Sequence, residues 1–312
     1  MITVQFYSPE KKSEWNNFIN ESKNGTFMLN REYVEYHSDR FVDYSLMFYD
    51  EKKLIAVLPA SLHGNEVRSH GGLTYGGIVS NKKMTILKME GVFEELRKKL
   101  NSENINKLLY KRIPSIYYTY PEDEDLYALF KNGAKLTRRD ISTTIYLPDK
   151  IKFSSLRKRC VKKAKDFGLD IRESSDYVVF INLMTDVLAK HHNHAKPVHS
   201  SEELSFLASK FPNNIKLFCA FKSKRIMAGV LIFESKQVVH TQYIANSEEG
   251  RNVGALDLVM DYLINNYSIG KTFFDFGIST ENEGMILNHG LVGQKEMFGG
   301  RGIVYDFYEW NI

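Results

Sequence analysis

Histidine is the side chain whose unperturbed pKa lies nearest neutrality, so proton transfer is sought first among the chain's nine histidines. Two of them have informative neighbours. His240 lies in "QVVHTQYIA", a strand-like run whose alternation places Gln242 on the same side. His199 lies in "AKPVHSSEEL", just ahead of Ser200 and Ser201, either of which can cap a following helix. His191, His192 and His194 precede it. Four histidines this close invite a metal site, but no cysteine or carboxylate completes a recognised ligand spacing, and no metal is expected. A lone histidine serves as readily as a hydrogen-bonded structural residue, so His199 and His240 stand as candidates for a base.

The elements that must position them follow from composition and periodicity. The 312 residues suit two domains, expected over 1–150 and 151–312. Hydrophobic residues make up 43% and charged residues 26%, an ordinary globular balance, while 13% aromatics predict ring-lined interiors. A net charge of +4 permits an anionic ligand without the dense basic face of a DNA-binding protein. The start, "MITVQFYSPEKKSEW", has no signal-peptide pattern, and no apolar run reaches a membrane-spanning length. Two cysteines, Cys160 and Cys219, outside any CxxC spacing, suggest a reducing compartment, and a cytoplasmic location is expected.

In the second half, "IKLFCAFK", "RIMAGVLIFE" and "QVVHTQYIA" predict an antiparallel meander with tight turns. "GRNVGALDLVMDYLINNY" predicts a helix and "KTFFDFG" a buried strand, joined as a right-handed crossover to a parallel pair. The glycine-rich segment "DFGISTENEGMILNHGLVGQKEMFGGRG" then leads into a last strand, "GIVYDFYEW". The first half repeats this order: strands in "YSLMFY", "KLIAVLPASL" and "EVRSHGGLTYGGIV", a helix in "MTILKMEGVFEELRKKL", a strand in "NKLLYKRI", a short helix in "DEDLYALFKNG", and a strand in "DISTTIYL". Equivalent strands start at Lys107 and Lys271, with little residue identity between copies. Between them, "FSSLRKRCVKKAKDFG" places Phe153, Leu156, Cys160, Ala164 and Phe167 on one helical face. Its basic residues form either a solvated face or a phosphate or RNA contact.

This order resembles the GNAT superfamily of acyl-CoA N-acyltransferases. The resemblance implies an α+β fold of two tandem GNAT-like domains, each a mixed, mostly antiparallel sheet flanked by helices. In that superfamily a Gln/Arg-x-x-Gly-x-Gly/Ala loop holds the coenzyme A pyrophosphate on backbone N–H groups at a helix start. In "EEGRNVGALD", Arg251, Asn252, Val253 and Gly254 match the first four positions; Leu256 departs at the sixth, with Ala255 beside it. The tandem arrangement resembles the Fem-type aminoacyltransferases and bacterial N-acyltransferases of nucleotide-linked amino sugars. These end in an Asn-x-Gly-Leu…Lys…Phe-Gly-Gly element, matched by "NHGLVGQKEMFGG", Asn288 to Gly300.

The resemblance implies that acyl-CoA is the co-substrate, with Asn288 hydrogen-bonded to the pantetheine arm and Gly290, Gly293, Gly299 and Gly300 approaching a ligand or turning. It implies a splayed fourth strand whose backbone N–H, from Tyr243, Ile244 or Ala245, faces the thioester carbonyl. His199 and His240 are then the bases brought toward the cleft. No tyrosine occurs in the fourth helix, leaving the thiolate's acid unassigned or to His289. The acceptor is expected between the domains, with Lys295 and Arg301 as diphosphate cations and Gln242, His70 and Tyr75 as further contacts, Tyr75 either stacking a base or packing in a hairpin. Without an Arg-x-x-Gly loop in the first copy, one acyl-CoA site is expected, in the second domain.

The implied reaction is acyl transfer from acyl-CoA to a nucleotide-linked amino sugar, of the dTDP-3-amino-3,6-dideoxyhexose type, for surface polysaccharide. The alternative is Fem-type transfer from aminoacyl-tRNA to a peptidoglycan precursor, which a short helix in place of a long helical arm disfavours. A non-catalytic binding module is a third possibility. Oligomeric state is not legible.

Overall fold

The computed structural model describes residues 1–191 and 197–312. The chain forms two compact units: residues 1–141, 280–286 and 303–312 in the first, and 142–279 and 287–302 in the second. A single cut at residue 150 misses that the chain's last strand belongs to the first unit. No helix among the described residues is long and apolar enough to cross a membrane.

In the second unit, the strands Asp170–Ser174, Ile215–Lys222, Arg225–Glu234 and Val238–Asn246 form an antiparallel run in sequence order. The last three are rich in apolar, β-branched and aromatic residues, and the turns between them are as short as the sequence predicts. Val238–Asn246 then pairs in parallel with Phe273–Ile278, which pairs on its other side with residues 142–146 of the strand Lys135–Tyr146. The parallel pair is short: Val238, Val239 and His240 oppose Phe273, Phe274 and Asp275, and then the strands part. A bulge reinforces this divergence, because the register against Arg225–Glu234 steps from Thr241 to Tyr243 and leaves Gln242 out. Gln242 therefore interrupts the alternation expected to pair it with His240.

The helical run after Val238–Asn246 is broken. Ser247 caps a helix at Glu248–Val253, Gly254 takes a left-handed φ of 79°, and a second helix runs Ala255–Tyr262. Before the meander, Ser154 caps the basic helix Ser155–Asp166. Its buried face is only partly the expected one: Ala164 is buried as expected and packs with Val161 against Leu258, while Leu156 and Phe167 are exposed. Arg157, four residues before Val161, lies on that packed side and is only 14% exposed.

The first unit repeats the topology with two interruptions. Leu46–Asp50 and Lys53–Leu58 pair with Ile2–Phe6 and with Val79–Ser80 in an antiparallel sheet. Pro59 and Ala60 separate Lys53–Leu58 from Ser61–His63, where one continuous strand was expected. The expected strand 66–79 is likewise split into Glu66–Arg68 and Val79–Ser80, with residues 69–78 outside any strand. Glu66–Arg68 pairs in parallel with Lys107–Lys111, after the crossover helix Ile86–Ser102, capped by Thr85. Lys107–Lys111 pairs antiparallel with the last strand, Arg301–Asn311.

Candidate active site

The site grows from the point where Val238–Asn246 leaves Phe273–Ile278. His240 occupies the last paired position, opposite Asp275. Its Nδ1 lies 2.7 Å from Asp275 Oδ2. Asp275 is fully buried, and its Oδ1 accepts from Ser142 Oγ at 2.5 Å and Thr144 Oγ1 at 2.6 Å. Burial alone would raise the carboxyl pKa, but the His240, Ser142 and Thr144 hydrogen bonds hold it below the usual aspartate value. Asp275 was not singled out from the sequence. Its signal was a lone carboxylate inside an aromatic buried strand, "FFDFG", which demands partners.

A second pair sits farther along the same strand. Tyr243 OH lies 2.5 Å from His199 Nδ1, and burial pushes the phenol pKa up. His199 is 7% exposed and precedes the helix Ser201–Lys210, capped by Ser200 in a box with Glu203. His191 ends the helix Tyr177–His191, and His192 and His194 lie outside the described residues. Tyr243, Ile244 and Ala245 follow the parting point, so the strand edge that faced Phe273–Ile278 is released there.

Beyond this lies a cavity of about 430 Å³, lined by Arg157, Asn246, Arg251, Leu256, Asp257, His289, Gly290 and Gly293 among others. Arg157 Nη1 donates to Asp257 Oδ1 at 2.8 Å, and its guanidinium lies 5.5 Å from the Phe298 ring centre. Two polar atoms of the lining, Arg157 Nε and Asn246 Oδ1, are buried without a hydrogen-bond partner among the described residues. Such atoms carry a desolvation penalty that a bound polar group would relieve. A Cβ on Gly293 would meet nothing within 4 Å, and one on Gly290 only Asn288 Oδ1 at 3.7 Å. This wall of the helix His289–Glu296 is therefore open space. By contrast, a Cβ on Gly299 would meet Ile151 O at 2.3 Å, and one on Gly300 Thr143 Cγ2 at 2.4 Å, so these glycines permit close packing.

Several expected site residues are otherwise engaged. Lys295, expected to meet a diphosphate, is 5% exposed and donates to Gly277 O, Ile278 O and Ser279 Oγ at 2.7–2.9 Å. Burial pushes its pKa down to about 8, with Asp275 opposing. Its charge holds a turn, so it is not available to a substrate. Tyr75 is 2% exposed, donates to Thr26 Oγ1 and packs on Tyr117, so it stacks no base. His70 is buried at a φ of 56°, its ring parallel to His37 at 5.1 Å, and burial pushes its pKa down to about 3. Its site is structural rather than a surface contact. Arg301 remains exposed, with Nη1 donating to Gly300 O. Asn288 caps the helix His289–Glu296 by accepting from Leu291 N at 3.0 Å.

The Arg-x-x-Gly stretch is also not the open loop expected. Arg251 and Asn252 are helical and exposed, and Ala255 is buried at the next helix's start. At Gly254 a Cβ would stand 2.5 Å from Cys160 O, so this glycine admits the basic helix rather than a phosphate.

Residues 154–283 match the family described as an acetyltransferase (GNAT) domain. No curated relative matches the chain. Among solved structures, FemX aligns over 99% of this chain and 97% of its own, at 11% identity and a TM-score of 0.71. L-PGS from Bacillus licheniformis aligns over 96% and 91%, at 13% identity and 0.62. A tandem GNAT protein from the clavulanic acid biosynthesis pathway aligns over 100% and 98%, at 9% identity and 0.50. At these identities the likeness is one of fold: the chain is an α+β protein of two tandem GNAT-like domains, with the family match falling mainly on the second unit.

Proposed function

We propose that the chain is an N-acyltransferase that moves an acyl group from an acyl-CoA thioester to an amine. The observation that carries this is the parting of Val238–Asn246 from Phe273–Ile278 immediately after His240, inside the stretch that matches the acetyltransferase family. The gap sets a released strand edge beyond a histidine, and fixed N–H dipoles on such an edge stabilise a thioester oxyanion without reorganising. The cavity of about 430 Å³, with Arg157 and Arg251 in its lining, suits the diphosphate of coenzyme A. His199 and His240 are the candidate bases.

For the acceptor we propose a nucleotide-linked amino sugar of the dTDP-3-amino-3,6-dideoxyhexose type. That finer assignment now rests on Arg301 without Lys295, His70 or Tyr75. The resemblance of the tandem order to Fem-type transferases implies one other donor, an aminoacyl-tRNA, and the chain shares the fold of FemX. Thiol release from acetyl-CoA, measured with dTDP- and UDP-linked amino sugars, separates the two. Release with an amino sugar supports the proposal. No release, together with consumption of an aminoacyl-tRNA, replaces it with the second donor.

A further inference from the structure

We propose that His240 takes the acceptor amine's proton on Nε2, and that Asp275 is its positioning residue, held in turn by Ser142 and Thr144. This rests on the acyl-transfer reading and chooses between its two candidate bases.

The geometry distinguishes them. A carboxylate only accepts hydrogen bonds, so His240 Nδ1, 2.7 Å from Asp275 Oδ2, carries the ring proton and Nε2 keeps its lone pair. Nε2 has no hydrogen-bond partner among the described residues, and the side chain is 13% exposed. Asp275 cannot turn away, because Ser142 and Thr144 both donate to its other oxygen. The His199 ring nitrogen that the structure shows engaged, Nδ1, faces the Tyr243 hydroxyl at 2.5 Å, a partner that can donate or accept, rather than a carboxylate that only accepts.

The surroundings agree. His240 stands at the apex of the gap, in the last pair of the parallel ladder, so a thioester bound in the gap would meet it there. Gly277, at a φ of 76°, flanks the ring; a Cβ there would lie 3.3 Å from His240 Cε1. Behind the pair, Lys295 on the helix His289–Glu296 is the cation that interacts with the Asp275 carboxylate. Lys295 is tethered to Gly277 O, Ile278 O and Ser279 Oγ, so it offsets the carboxylate charge without displacing His240.

In the step, the amine nitrogen's lone pair forms the C–N bond to the thioester carbonyl carbon while its proton passes to Nε2. The C–S bond then breaks with its electron pair on sulfur. The proton passes from Nε2 to the thiolate, directly or through water, leaving an amide and the coenzyme A thiol.

The test measures kcat against pH with acetyl-CoA and a dTDP-linked 3-amino-3,6-dideoxyhexose. His240→Asn and Asp275→Asn should each lower kcat by about 10²–10⁴-fold, whereas His199→Asn should lose less than about tenfold. In Asp275→Asn the amide can donate to Nδ1 and drive the proton to Nε2, the wrong tautomer for a base. The double variant should be no worse than His240→Asn, and the acetyl-CoA KM should stay within about threefold, because Asp275 acts through His240. Nitrogen-15 NMR of the wild-type imidazoles, with His240 assigned by its loss in His240→Asn, should show an Nδ1–H tautomer that Asp275→Asn converts to Nε2–H. An Nε2–H tautomer in the wild type, or losses below tenfold in both variants, would overturn the proposal. If acetyl-CoA does not bind the wild type, the acyl-transfer reading falls, and the tautomer alone then decides whether Asp275 sets His240.

Discussion

The two units part the same pair of strands and fill the space differently. In the second, Val238–Asn246 continues past His240 as one bulged strand and leaves a gap beside Phe273–Ile278. In the first, the equivalent strand stops at Arg68 and resumes at Val79, and the intervening backbone lies along its parallel neighbour. Ser69 N donates to Leu109 O, Gly76 N to Lys111 O, and Ile78 N to Tyr110 OH, at 2.8–2.9 Å. Lys111 N donates to Ser69 Oγ, and its Nζ donates to the carbonyls of His70, Gly71 and Leu73 at 2.7–3.1 Å. A segment of the chain thus holds the strand edge whose counterpart in the second unit is released. One topology gives a closed unit or an open one, depending on whether ten residues are inserted where the strands separate. This supports a single coenzyme site per chain.

The largest effects should come from the two buried lysines. Lys111→Met should destabilise the first unit by about 3 kcal/mol in denaturant titration, because three buried carbonyls lose a charged donor. Coenzyme A affinity should be unchanged, and a simultaneous loss would mean that the first unit shapes the site. Lys295→Met should cost a similar amount, about 3 kcal/mol, in the second unit. If its main effect is instead a raised KM for the amine, its charge reaches the substrate after all.

Intermediate effects belong to the cavity. Gly293→Leu fills open space and replaces a helical glycine by a better helix former, so stability should hold or rise by about 0.5 kcal/mol. Coenzyme A affinity should nonetheless fall at least about tenfold by loss of pocket volume; unaltered affinity would move the ligand elsewhere. Arg157→Gln should weaken coenzyme A by about tenfold, the scale of one charge-assisted contact, without the same loss for an uncharged pantetheine. Equal losses for both ligands would make Arg157 a packing residue. The smallest effect is on acid stability. Asp275 has its native pKa depressed below 3.8, so its contribution is complete above that pH and is lost as pH falls through the native value. Asp275→Asn should flatten that part of the wild-type stability profile.

The repeat, the meander and the crossover were legible because strands alternate with strongly periodic helices and the turns are short. The interruption at residues 69–78 was not. "EVRSHGGLTYGGIV" has the composition of a strand, and only the parallel partner's hydrogen bonds reveal that its middle leaves the ladder. Within the candidate site, His240 was legible as a histidine on a predicted strand, but its partners Asp275, Ser142 and Thr144 were not. They join His240 across two strands far apart in sequence, a juxtaposition that periodicity does not encode. Lys295 misled in the other direction. A lysine beside glycines suggests a phosphate, yet its ammonium is taken by Gly277 O, Ile278 O and Ser279 Oγ, where the strand Phe273–Ile278 ends. Arg157 was hidden by the basic run around it, since Val161 joins Ala164 on the buried face in place of Leu156 and Phe167.

The most direct test of the open-and-closed comparison is a calorimetric titration of the wild-type chain and of Gly293→Leu with coenzyme A. One site per wild-type chain, lost or weakened at least about tenfold in the variant, is the outcome this account predicts. Two sites per chain, or a single site indifferent to Gly293→Leu, would contradict it.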